Sequence, residues 1–389
     1  MKSHASVVIV GGGVMGCSIA YHLASKGVRD IVLVERDSLG SGSTGRSSGI
    51  IRMHYSTEIN TRLAWESFET LRNFDEIVGG NGGWVKTGFM IIVGPDEVDG
   101  LKKNIVLHKS VGVDTNIISV AEAKEIAPGF DYSGVGAIGY EPESGYGDPS
   151  GVTLGYATRA REMGVEILLE NPLIKINRTG DRIRGVQTKQ GTIQTDTVIL
   201  ATGPWSSQIL SQLNIDLPLV PTRHSVILLQ RPDNLLDRHP AGCDTGHLVY
   251  FRPEGDAYWL IGNGNHEEIV DPDTYKAQPE MDYVQDVWHR MTNRVPNLAN
   301  AKYFTGYSGL YTSTPDDHPI VDTCSQVEGL YLCSGFSGHG YKESPAIGRI
   351  VSELILTGKV DKPDITPLKA DRFSTGETNQ LSYRFKVLA

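Results

Sequence analysis

Cysteine is scarce in this 389-residue chain: Cys17, Cys243, Cys324 and Cys333 are all there are, and no two stand as Cys-x-x-Cys. The eleven histidines are scattered as well. No zinc or iron–sulfur spacing exists, so no metal is expected. Unpaired thiols suit a reducing compartment, and the expected location is cytoplasmic. Basic excess is also missing, since 36 Lys and Arg face 46 Asp and Glu for a net charge of −10. Nucleic-acid phosphates would demand the reverse, so that partner is not expected. Nor is there a long unbroken apolar run. Residues 7–24 are rich in apolar and small side chains, but Gly11, Gly12, Gly13 and Gly16 interrupt them and only Lys2 gives a basic flank. That excludes a signal peptide or transmembrane segment as the reading of this stretch.

What is present reads as an ordinary globular chain, 39% apolar and 21% charged, long enough for two lobes with separate cores. Residues 7–10 form an apolar run suited to a buried parallel strand. Val14, Ile19, Ala20, Leu23 and Ala24 then fall at helical spacing until Gly27, and residues 31–34 give a second apolar strand ended by Glu35. This is a βαβ unit with a right-handed crossover. Further helices are expected over 57–75, 96–111, 120–126, 150–163, 281–295 and 345–356. Strands are expected over 89–93, 165–169, 198–200, 225–229, 248–251, 258–261 and 330–333, with a hairpin pairing 183–189 with 192–195. The polar tail after Lys362 is expected to fray or to wrap a partner.

Gly11-x-Gly13-x-x-Gly16 sits between the first strand and helix. Gly11 permits the tight turn, Gly13 lets backbone approach a pyrophosphate, and Gly16 lets helix and strand pack closely. The helix start, with Val14 and Met15, presents its partial positive charge to phosphates. Glu35, followed by Arg36, is placed to accept from a ribose diol. Together these features point to dinucleotide binding. Ala201-Thr202-Gly203, with Trp205 just beyond, resembles the second FAD-contact motif of flavin oxidoreductases. Gly335 to Lys342, ahead of a last helix, supplies close-approach glycines and a helix end able to stabilise negative charge. An NAD dehydrogenase needs no such late return to its cofactor lobe, so FAD is the expected cofactor.

The stretches Gly42-Ser43-Thr44-Gly45-Arg46-Ser47-Ser48, Ile51-Arg52-Met53-His54-Tyr55, Gly309 to Asp316 and Gly335-Phe336-Ser337-Gly338-His339-Gly340-Tyr341-Lys342 carry a specific resemblance. The chain resembles the D-amino-acid-oxidase-type (DAO) FAD-dependent oxidoreductases, in the branch of sarcosine oxidase and the dye-linked L-proline dehydrogenase catalytic subunit. The resemblance implies an α/β, Rossmann-like FAD lobe of the glutathione-reductase type, with an inserted α+β substrate lobe built on a mainly antiparallel sheet. The expected boundaries are 1–80, 150–220 and 312–365 for the FAD lobe, 81–149 and 221–311 for the substrate lobe, and 366–389 for the tail. It further implies that Arg52 and Lys342 clamp a substrate carboxylate, with Tyr311 and Tyr250 lining the pocket. Ser43, Thr44, Arg46 and Ser47 would contact the cofactor, as would Gly338, His339, Gly340 and Tyr341.

Departures from the family pattern matter too. The cysteine that carries the flavin in monomeric sarcosine oxidase aligns with Gly309, so the expected FAD is noncovalent. The histidine that holds a second flavin in the heterotetrameric relative aligns with Pro149. An oxygen-activating lysine aligns with Leu260, which favours a dehydrogenase over an oxidase. The implied reaction is oxidation of a small amino acid or N-alkyl amino acid (sarcosine-, glycine- or proline-like), by hydride transfer and imine hydrolysis. Electrons would pass to oxygen, a quinone or a partner subunit, with a hetero-oligomer as one arrangement. The alternatives are a 2-hydroxy-acid dehydrogenase on the same scaffold and a non-catalytic flavoprotein subunit or assembly factor.

Overall fold

A computed structural model describes residues 2–233, 239–380 and 383. Its central six-stranded sheet runs in the order Ile320–Thr323, Leu330–Ser334, Val198–Leu200, Val7–Val10, Ile31–Val34, Glu166–Leu168. All neighbours are parallel except the outermost pair, Ile320–Thr323 with Leu330–Ser334. The two strands read as unbroken apolar runs, VVIV and IVLV, are buried along their whole length. That is what a sheet covered on both faces requires. Sequence-distant segments therefore meet side by side, which places the second and third glycine motifs at the strand ends next to the first.

A second, eight-stranded sheet holds Lys302–Ser313, Val220–Gln230, Tyr258–Gly262, Val249–Glu254, Ala241–Asp244, Phe89–Val93, Ala137–Glu141 and Asn116–Ile118 in that order. Only Ala241–Asp244 with Phe89–Val93 pair in parallel. Among the described residues there are also two three-stranded antiparallel sheets, one of Leu173–Thr179, Arg182–Thr188 and Gly191–Gln194, the other of Ile50–Ile51, Gly145–Tyr146 and Val85–Lys86. The parallel sheet with helices on its faces and the largely antiparallel second sheet give the fold class expected from the resemblance.

Three differences from the sequence reading have physical causes. The hairpin expected over 183–195 gains a third strand, Leu173–Thr179, whose only buried position is Ile176; so little apolar content leaves no period to read. The last helix spans Gly340–Thr357 rather than beginning at Pro345. Proline lacks the N–H that would reach the Tyr341 carbonyl, and the Ser344 hydroxyl donates to that carbonyl instead at 2.9 Å. The tail does not fray through residue 380. Arg372 is buried against Asp316, donating from Nε at 2.9 Å and from Nη2 at 3.1 Å, and Asn379 donates to the same carboxylate at 2.8 Å.

Among the described residues no helix is long and apolar enough to cross a membrane.

Candidate functional site

The glycine turn after Val10 is shaped by contact. A β-carbon on Gly16 would strike the Gly11 carbonyl oxygen, so the helix Val14–Ser25 can lie against the strand only with glycine there. Its first turn has no acidic residue. The Val14 N–H donates to Thr44 Oγ1 at 3.1 Å, which ties the serine-rich loop to the helix start. Glu35 accepts from the N–H of Gly12 at 2.6 Å and of Asp37 at 2.8 Å, bracing the turn against the second strand. Arg46 donates to the carbonyls of Ser41 and Gly42, folding the loop on itself.

These elements wall a cavity of about 560 Å³. Gly11, Gly13, Val14, Met15, Glu35, Arg36, Ser43, Thr44, Arg46 and Ser47 line it from the first βαβ unit and the loop. Ala201, Gly203 and Trp205 line it from the second motif, and Gly338, Gly340 and Tyr341 from the third. Three sequence-expected cofactor residues do not line this cavity: Gly16, which packs against the Gly11 carbonyl, and His339 and Lys342, which face the smaller pocket described below. Two helix starts, at Val14 and Gly340, open onto the cavity, neither capped by the side chain of its own N-cap residue, so anionic groups are favoured at both. Ser43 Oγ is buried there with no hydrogen-bond partner among the described residues, a donor left for a ligand. Sequence reading missed Asp273. It accepts from Arg36 at 2.9 Å and from the Trp205 indole at 2.8 Å, while the Arg36 guanidinium lies 3.7 Å above the Trp205 ring. Nothing in the sequence singles out an aspartate so far along the chain. Cavity size, orphan donor and helix ends together fit a dinucleotide.

Against this cavity lies a second of about 30 Å³, lined by Ser48, Ile50, Arg52, Phe89, Tyr250, Tyr311, Ser337, Gly338, His339 and Lys342. All four residues expected to handle substrate therefore gather at one place. Tyr311, Ser337 and Gly338 line both cavities. Gly338 has φ +92°, and a β-carbon there would sit 2.5–2.6 Å from the Tyr311 ring carbons Cε2 and Cζ. Glycine is required by both counts.

Arg52 and Lys342 are 2% and 6% exposed, which rules out a surface ion pair for either. Tyr55, which sequence reading quoted but gave no role, lies under both cations. The Arg52 guanidinium is 4.3 Å and Lys342 Nζ 5.9 Å from its ring centroid. Burial, then the charge of Arg52, pulls the Lys342 ammonium well below the ordinary lysine range. Burial lifts the neighbouring Glu343 carboxyl above the carboxylate range, against the pull of Lys342 and Arg52. Glu343, also missed from sequence, is fully buried, and its side-chain partner there is Tyr55. His339 is held neutral by burial and then by the charges of Lys342 and Arg52. Burial pushes the Tyr311 phenol up to about 12. The pocket is thus a buried space with two basic side chains, Arg52 and Lys342, and aromatic and aliphatic walls.

Human mitochondrial sarcosine dehydrogenase is 28% identical over 93% of this chain and 41% of its own length. The 4-methylaminobutanoate oxidase (formaldehyde-forming) of Paenarthrobacter nicotinovorans is 27% identical over 98% of this chain and 47% of its own. The chain thus spans less than half the length of these two curated relatives. The crystal structure of L-proline dehydrogenase from P. horikoshii is 30% identical, covers 97% of this chain and all of its own, and superposes with a TM-score of 0.89. The sequence model of the DAO family, FAD-dependent oxidoreductases, matches residues 6–354, and the chain belongs to that family.

Proposed function

We propose that the chain oxidises the C–N bond of a small amino acid or N-alkyl amino acid. The observation that carries this reading is the convergence of Arg52 and Lys342 on a pocket that shares its Tyr311–Gly338 wall with the cofactor-sized cavity. Relatives named for sarcosine, 4-methylaminobutanoate and L-proline all act on an amine that bears a carboxylate. FAD, when bound, supplies a two-electron acceptor.

The chain's own residues do the rest. Arg52, with its fixed fork of donors, and Lys342 bind the carboxylate. They also disfavour a third positive charge nearby, so the substrate amine is held as the free base whose lone pair drives oxidation. Tyr250, Tyr311 and Phe89 exclude water from the reacting carbon and fix its approach. No side-chain base is needed, and a histidine kept neutral by its surroundings, as His339 is, does not compete for the amine proton. Noncovalent cofactor binding is supported at Gly309, where a β-carbon would lie 2.8 Å from Arg46 Cβ, leaving no room for a tethering side chain. A dehydrogenase reading rests on the buried Leu260, standing where the resemblance puts an oxygen-activating lysine. Electrons then leave to a quinone or a partner subunit rather than to oxygen.

Anaerobic mixing with sarcosine, glycine, L-proline and 2-hydroxyglutarate, followed through the flavin's visible band, tests the reading. An amine is expected to bleach the flavin. Bleaching by the hydroxy acid alone would transfer the reading to 2-hydroxy-acid oxidation, and no bleaching at all to a non-catalytic flavoprotein. Arg52→Ala is expected to raise KM about thirtyfold or more, because the buried charge partner is worth about 2–5 kcal/mol, while the protein stays yellow. Unchanged KM would refute the clamp.

A further inference from the structure

Immediately behind Arg52 lie three buried groups that the proposed reaction does not use. His54 follows Arg52 by two residues, His108 comes from the helix Val98–Val111, and Glu141 ends the strand Ala137–Glu141. They are 0%, 0% and 1% exposed, and one potential ligand atom of each lies within 4.8 Å of the other two. The two imidazole rings are edge to face at 4.5 Å.

One end of every side chain is fixed. His54 Nε2 meets the Tyr383 hydroxyl at 2.8 Å, and His108 Nε2 meets the Tyr55 carbonyl at 2.8 Å. Glu141 Oε2 accepts from the Met53 N–H at 3.0 Å and from the Ser144 hydroxyl at 2.7 Å. The other end of each is left over. His54 Nδ1, His108 Nδ1 and Glu141 Oε1 are buried with no hydrogen-bond partner among the described residues. Three such orphans on neighbouring side chains are costly unless something binds them. His108 Nε2 lies 3.2 Å from the Tyr55 backbone nitrogen and 2.8 Å from the Tyr55 carbonyl oxygen; in the tautomer that donates to the carbonyl, Nδ1 carries a lone pair. Where both Nδ1 atoms carry lone pairs, a single water, having two protons, cannot satisfy them and the carboxylate together. A cation can.

We propose that His54, His108 and Glu141 form a site for a divalent transition metal, zinc by ligand type, that buttresses the segment carrying Arg52. Two imidazoles and one carboxylate make a familiar zinc set with room for a fourth ligand. The contacts to Tyr55, Tyr383, Met53 and Ser144 are the outer bonds that orient such ligands. The ligand atoms of a tetrahedral zinc site stand roughly 3.3 Å apart, so binding draws the three groups inward from their present spread. Arg52 is close enough to oppose the added charge, and Glu141 offsets it. The same segment hangs on the cluster at three points: Arg52 Nη1 donates to the His54 carbonyl, Met53 N–H to Glu141, and His108 to the Tyr55 carbonyl. Sequence reading expected no metal because the ligands stand 54 and 33 residues apart in the chain, a spacing that matches no motif.

The metal itself is the readout, so the test does not depend on the proposed reaction. The flavin-loaded protein is stripped with a chelator, incubated with Zn²⁺ or Co²⁺, gel-filtered and assayed by elemental analysis, with thermal unfolding followed in parallel. The expected result is about one equivalent of metal per chain, visible d–d bands for Co²⁺, and a Tm that rises with Zn²⁺. His108→Gln and Glu141→Gln are expected to lose the metal while keeping the flavin spectrum. Wild-type protein that retains no metal and shows no Tm shift would overturn the site, even should the variants fail to fold. Folded variants that keep the wild-type stoichiometry would overturn it equally.

Discussion

Replacing Gly338 by alanine is the sharpest probe of how the two cavities are joined. The perturbation has two parts. Alanine at φ +92° is in a left-handed conformation, which costs about 1–2 kcal/mol. Its β-carbon would also stand 2.5 Å from Tyr311 Cε2, so the ring must yield by about 1 Å to restore ordinary contact, an overpacking worth about 1–3 kcal/mol. Yielding is hard, because Tyr311 is stacked on His224 with ring centroids 3.5 Å apart. Together the terms predict a loss of about 2–5 kcal/mol and a fall in Tm of roughly 1 °C per kcal/mol. Thermal unfolding of wild type, Gly338→Ala, Tyr311→Ala and the double variant separates the parts. The overlap vanishes when the ring is gone, so the Gly338 substitution should cost about 1–3 kcal/mol less in the Tyr311→Ala background. Additivity within about 0.5 kcal/mol, or a single variant as stable as wild type, would refute the account of the shared wall.

Other consequences are testable in the same preparation. His22 is held down to about 4, first by burial and then by Lys26 and Arg349. The unfolded chain therefore binds the extra proton between about pH 6.5 and 4. Stability should be complete above that window and fall on acidification through it by on the order of 3 kcal/mol. Denaturant midpoints against pH should show a shallower slope for His22→Gln, and equal slopes would count against it. Arg372→Ala strands the buried Asp316 carboxylate and should cost about 3–5 kcal/mol, whereas removing both charges should cost less; chemical denaturation of the pair decides. All four thiols are free and buried, and burial pushes Cys17 up to about 12. A thiol reagent should find none in the native protein and all four after unfolding. Fast labelling without denaturant would contradict the packing.

Segments that fold by their own pattern were legible in the sequence. Phe89–Val93 and Val120–Ile126 match expectation at both ends, the first a continuous buried run, the second a helix opened by a Ser119–Glu122 capping box. The cofactor turn was legible because glycine spacing records a close approach. Features decided by distant partners were not. The twelve-residue strand Lys302–Ser313 begins with three exposed residues and takes its order from Val220–Gln230 beside it. The early start of Gly340–Thr357 depends on a serine rescuing a carbonyl. Tyr55 and Glu343 look like ordinary residues until the fold sets them beside Arg52 and Lys342, and Asp273 is brought to Arg36 from 237 positions away.

The order of strands in the six-stranded sheet also sets a timetable. Its first-made strand, Val7–Val10, waits for Val198–Leu200 on one flank, and that strand waits in turn for Leu330–Ser334. The large cavity has no complete wall until the ribosome has passed Tyr341. Until then the nascent chain carries an open parallel edge and an unfilled helix end. Translation intermediates should therefore depend on chaperones up to a late point, and free flavin should be retained only by chains longer than that length.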